Sequence, residues 1–192
     1  MESSLLKCVF ISSKKHKLSL LISHNEASTL CDFLEITINT NVLIFNTNLG
    51  IEIYYNSPVD YTNLITHSFL LIASKQGKET EEYRIASFIT FPDLKDGIQQ
   101  MLVKLSSMPL AFNCYSKNLF YQLNKHYEKS NQLIEMLFSI WKQILIFLNL
   151  NKQSNFKLNQ FEKTLEGFDV KYLLTPLLKQ LIVDATSAMR HN

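Results

Sequence analysis

The stretch Val42-Leu43-Ile44-Phe45-Asn46-Thr47-Asn48-Leu49-Gly50-Ile51-Glu52-Ile53-Tyr54-Tyr55 decides the fold class. Val42–Phe45 and Ile51–Tyr55 are dense in β-branched and aromatic residues, which suit a pleated and half-buried surface. Between them, Asn46 to Gly50 supplies the Asn and Gly that a tight turn needs, so a β-hairpin is expected.

On the N-terminal side, Leu5 to Ile11 and Leu18 to Ser23 read as two short strands joined by a basic tip, Ser12 to Lys17. Ala27 to Ile36 reads as a short helix with Asn25 as its cap and Glu26 in its first turn. On the C-terminal side, Phe69–Ala73 and Tyr83–Thr90 read as further strands, linked by a polar loop over Lys75 to Glu82 that contains Gly77.

The pattern then turns helical. Phe91-Pro92-Asp93 ends the strand, and Asp93 and Asp96 are expected at the cap and third positions, beside the positive end of the helix dipole. Leu94, Ile98, Met101, Leu102 and Leu105 recur at helical spacing, with Gly97 as the weak point.

From Ser116, read as a cap, to Leu150 there is neither Gly nor Pro. Phe120, Leu123, Tyr127, Ser130, Ile134, Leu137, Trp141, Ile144 and Leu148 follow one another three or four residues apart, a heptad seam. A straight helix of this extent would be about 50 Å long, so part of the seam is expected to meet something outside the domain. Leu133, Met136, Ile140 and Phe147 add a second apolar face.

Phe156 to Glu166 reads as a helix stopped by Gly167, and Thr175-Pro176 as the start of a last one. The fold class expected is α+β: a small mixed or antiparallel sheet with a packed helix, a long heptad-patterned helix and a short C-terminal helical set. Residues 1–110 would form the β-rich part and 111–192 the helical part.

Composition narrows the function. With 46% hydrophobic residues, only 4 Gly and 4 Pro, the chain is one that buries a core. The net charge of +2 is uneven: residues 1–116 hold nine Lys/Arg against eleven Asp/Glu, and 117–192 hold ten against six. That bias suits an acidic partner, and it is smaller than dedicated nucleic-acid binders carry. Cys8, Cys31 and Cys114 are odd in number and far apart, which argues for reduced thiols. The N-terminus lacks the basic and apolar segments of a secretory signal, so an intracellular chain is expected. Glu135 and Lys142 interrupt any window long enough to span a bilayer, and membrane insertion is disfavoured.

Catalytic motifs are not found. Gly50, Gly77, Gly97 and Gly167 are isolated and build no phosphate-cradling loop, and the five His are too scattered for a metal site. No enzyme activity, cofactor or metal is expected. Lys14, Lys15 and Lys17, at the tip of the expected hairpin, are the candidate contact to a phosphate backbone. Ile134, Leu137, Trp141, Lys142, Ile144, Phe147 and Leu148 are the candidate partner-binding residues, with Trp141 as the anchor that buries most area with few rotors.

The β-rich part leading into a long helix that carries Trp141-Lys142, with Phe147 near the next turn, resembles the transducer domain of the topoisomerase VI B-like proteins of meiotic recombination initiation. The resemblance covers residues 40 to 150 in architecture, and those three residues in motif. It implies a ribosomal-protein-S5-like α/β fold whose long helix reaches a catalytic, topoisomerase VI A-like partner. It further implies a nuclear, non-catalytic role in helping a Spo-type transesterase make meiotic double-strand breaks. The chain departs from full-length members of the B-like family in having no nucleotide-binding domain and no glycine-rich loop. The alternative is a generic intracellular adaptor that associates through its heptad helix.

Overall fold

A computed structural model describes residues 5–14, 20–74 and 82–169, and the single positions 172, 178 and 181. The chain divides into two compact units, residues 1–144 and 145–192. The expected boundary at 110/111 therefore falls inside the first unit.

The quoted stretch forms a hairpin, β2 (Val42–Thr47) and β3 (Gly50–Asn56), paired antiparallel with Thr47 opposite Gly50. Gly50 is required there: its φ is +146°, and a Cβ would collide with the carbonyl of Ile11 on the neighbouring strand. The Thr47 hydroxyl closes the turn by donating to Gly50 O at 3.1 Å and accepting from Leu49 N at 3.3 Å.

β1 (Leu6–Ser13) pairs antiparallel with β3 on one side and with β4 (Tyr83–Phe88) on the other, giving a four-stranded sheet in the order β2-β3-β1-β4. With α1 (His24–Ile38) after β1 and α2 (Thr62–Ser74) after β3, the connectivity is βαββαβ. This is the split βαβ, ferredoxin-like arrangement. The α+β class is as expected, and the sheet is wholly antiparallel.

Several local expectations are corrected. β1 finds its partners far along the chain, so there is no N-terminal hairpin: residues 20–23 are irregular, and residues 15–19 lie outside the described residues. The cap of α1 is Ser23, in a capping box with Glu26, because its hydroxyl accepts from Glu26 N while the Glu26 carboxylate accepts from Ser23 N. Phe69–Ala73 is the end of a helix: Ile65, Ser68, Phe69 and Ala73 share one buried face, and Asp60 holds the entry by accepting from Thr62 N at 2.9 Å. Residues 75–81, most of the expected loop, lie outside the described residues.

α1 and α2 cover one face of the sheet. Leu30, Leu34, Ile65 and Phe69 pack with Val9, Ile11, Ile44, Ile51 and Ile53 in a single core. The opposite face lies under α3 (Phe91–Ser106), whose cap is Thr90, with Asp93 at the third position. Its Gly97 admits the ring of Phe88, into which a Cβ would run.

α4 begins at Pro109, placing Ser116 inside the helix and not at its cap. Pro belongs at such a start because its missing N–H costs nothing there. Ser130 leaves helical geometry (φ −129°, ψ 33°), so α4 (Pro109–Leu150) is kinked and its seam follows two axes, each about 30 Å long. Asn131 opens the second segment by accepting from Gln132 N.

The first segment of α4 is tied to the sheet. The Gln122 amide accepts from Asn46 N at 2.9 Å and donates to Asn46 O at 3.0 Å, pairing with the edge strand β2 as another strand would. Lys129 bridges to Glu35 at 2.7 Å and Asp32 at 3.3 Å on α1. In the second unit, α5 (Phe156–Asp169) continues through Gly167, which does not stop it. The helix expected from Thr175-Pro176 starts outside the described residues.

Candidate functional site

The pleat decides which side chains meet beneath α3. Ile51, Ile53 and Tyr55 of β3 are committed to the α1/α2 core, which sends Glu52 and Tyr54 to the opposite face. Beside them on that face are Cys8 and Phe10 of β1, each registered against its β3 neighbour: Cys8 with Tyr54, Phe10 with Glu52. A buried carboxylate results, only 2% exposed.

Its surroundings are polar on one side only. Tyr54 donates its hydroxyl to Glu52 Oε2 at 2.7 Å, while Glu52 Oε1 has no hydrogen-bond partner. The Tyr115 hydroxyl, from α4, acts on the same carboxylate from outside hydrogen-bond geometry and is itself left without a partner. Burial pushes the Glu52 pKa up to about 7, against the downward pull of the two tyrosines. Burial also raises Cys8, Tyr54 and Tyr115 well above their usual values, with the Glu52 charge adding to it. At neutral pH the cluster therefore carries at most one negative charge, and Glu52 is partly protonated.

Glu52 and Tyr54 form part of the wall of a cavity of about 690 Å³ between the sheet and α3. Phe10 lies on its sheet side, Met101 and Leu105 come from α3, and Arg84 and Lys104 line it while remaining exposed to solvent. The size falls within the range of small-molecule sites. In the sequence Glu52 reads as an ordinary strand residue and not as a site residue. The one signal there is a lone charge between Ile51 and Ile53 in an otherwise apolar strand.

The expected partner-binding residues fare differently. Ile134, Leu137, Trp141, Ile144 and Leu148 are each no more than 1% exposed. They are core residues in this structure, because the seam is satisfied within the chain, and the indole of Trp141 stacks at a tilt against Phe138, 5.6 Å between centroids. Lys142 is exposed, as is Phe147 at 46%. In the second unit Ile146 (57%) and Leu150 (78%) accompany Phe147, and the three fall on one arc of about 100° of the helix. By length and composition α4 could cross a membrane, yet half of its most apolar window is buried inside the chain.

Lys14 is a turn residue at the end of β1, exposed, and its N–H donates to Glu82 O. Lys15 and Lys17 lie outside the described residues. Among the described residues no group of three or more His, Cys, Asp or Glu is placed to hold a metal. Cys8 and Cys31 are buried free thiols, whereas Cys114 is exposed. Compared with family models, curated proteins and solved structures, the chain matches none.

Proposed function

We propose that this protein is a non-catalytic subunit that works by holding a protein partner at the end of α4. The supporting observation is the run of exposed apolar side chains Ile146, Phe147 and Leu150, on a helix whose other apolar positions are largely buried. Exposed aromatic and aliphatic groups clustered on one helix arc are the material of an interface anchor. Of the partners such a protein would serve, the resemblance at Trp141, Lys142 and Phe147 selects a topoisomerase VI A-like, Spo-type transesterase. The function is then support of meiotic double-strand break formation in the nucleus. The excess of basic residues in 117–192 suits a protein working next to DNA, with direct DNA contact secondary.

The test is affinity purification of the tagged chain with mass spectrometry, beside Phe147→Asp. Phe147 is half-exposed, so this variant is expected to melt with the wild type while losing its partner. Recovery of the transesterase with the wild type and not with the variant supports the proposal. Recovery of only the chain itself, or of unrelated cytoplasmic proteins, rejects the meiotic reading in favour of an ordinary adaptor.

A further inference from the structure

The central strand of a sheet covered by helices normally buries its side chains completely, and β1 does so at Leu6, Cys8, Val9 and Ile11. Phe10, in mid-strand under α3, is only partly buried, as are Ser12 and Ser13 beyond it, and all three line the cavity that opens there. Three features coincide there. The lining is largely apolar, with Phe10 and Phe88 on the sheet side and Met101 and Leu105 opposite. A carboxylate almost wholly withdrawn from water has one oxygen, Glu52 Oε1, without a hydrogen-bond partner. Two cationic side chains, Arg84 and Lys104, line the same cavity while exposed to solvent, and so mark its mouth.

These features specify a ligand. An unpaired buried acceptor calls for a donor, and a lone water would leave the apolar walls uncovered, since cavities of that lining do not retain water well. An ammonium group would meet Glu52 but would have to pass two cations to reach it. We propose that the cavity binds an elongated, apolar small molecule whose buried end carries a hydroxyl donated to Glu52 Oε1, and whose outer end carries an anionic group beside Arg84 and Lys104. The alkyl body covers Phe10 and packs on the Met101 thioether, which adapts to varied shapes. This site lies within the first unit and is independent of the partner surface at Phe147.

The experiment uses 10-hydroxydecanoate and decanoate, which differ only in the terminal hydroxyl, with binding to the full chain followed by calorimetry and by the methyl resonances of Met101 and Met108, both of which line the cavity. A hydrogen bond to a carboxylate predicts that the hydroxylated probe binds roughly ten- to a hundredfold more tightly. The preference should vanish in Glu52→Leu, which keeps the shape and removes the acceptor. Affinity for both probes should fall with added salt and in Arg84→Gln/Lys104→Gln, since the mouth pairing is electrostatic. Equal affinity of the two probes for the wild type, survival of the hydroxyl preference in Glu52→Leu, or no saturable shift of the Met101 and Met108 methyls with either probe would each overturn the proposal.

Discussion

Glu52→Gln tests the physical account of the site most directly. The ordinary carboxyl pKa is 4.5, and in the folded chain Glu52 is raised to about 7. Between these values the folded state holds a proton that the unfolded state has released, so stability falls as pH rises from about 4.5 to about 7 and is flat above. A difference of about 2.5 pH units at 1.36 kcal/mol each amounts to about 3 kcal/mol of stability lost by pH 8. The groups facing the carboxylate are Cys8, Tyr54 and Tyr115, all pushed upward by burial and therefore neutral throughout this window. Gln has no proton to release. Any hydrogen bond it makes or loses shifts stability by an amount independent of pH, whereas the wild-type loss is confined to the window. Urea unfolding at pH 5 and pH 8, followed by the fluorescence of the sole tryptophan, Trp141, reads the difference. Relative to the wild type, the variant should gain about 2–3 kcal/mol between the two pH values, because at pH 5 a small part of the wild-type loss has already occurred. A gap between variant and wild type that stays constant to within about 0.5 kcal/mol would refute the buried-carboxylate reasoning.

Two further substitutions address the long helix. Trp141→Ala should cost about 3–5 kcal/mol by emptying a site that is 1% exposed, lowering the melting temperature by roughly 6–20 °C in circular dichroism; an unchanged melt together with loss of the partner would return the indole to an interface. Gln122→Ala leaves both Asn46 backbone groups unpaired on the buried strand β2, at about 1–3 kcal/mol each, and should accelerate amide exchange at Asn46; unaltered protection there would show that the side-chain amide is not what seals the edge.

What was legible in the sequence was local. The hairpin at 42–55 was written in strand formers around Asn and Gly, and α3 was written in the three-and-four spacing of Leu94, Ile98, Leu102 and Leu105. Phe69–Ala73 misled because five apolar residues in a row suit a buried strand as well as one side of a helix. What resolves it lies upstream, where Asp60 and Thr62 start the helix. The expected N-terminal hairpin failed for a different reason. Strand pairing is non-local, and β1 is claimed by β3 and β4, forty residues away for the nearest registered pair, Ile11 with Ile51. The heptad seam is right as a pattern and wrong as a surface. Periodicity says that one stripe is buried, but it does not say against what.

The candidate site was illegible for the same reason, carried one step further. Glu52 acquires its meaning from Cys8 and Phe10 registered across the sheet, and from Tyr115, sixty-three positions along the chain. No spacing rule links these residues. The substitution that a protein without a ligand would tolerate best is Glu52 to an apolar residue, since burying the carboxylate costs stability at neutral pH. Tyr54 and Tyr115 both offset part of that cost, yet only Tyr54 makes a hydrogen bond, and Oε1 is left without one. A buried charge that weakens the fold, faces an open cavity and keeps an acceptor unsatisfied is better accounted for by what it binds than by what it holds together. The docking surface proposed on α4 and the ligand site proposed under α3 therefore ask different questions of the chain: the first rests on exposed apolar residues, the second on a polar anchor in largely apolar surroundings.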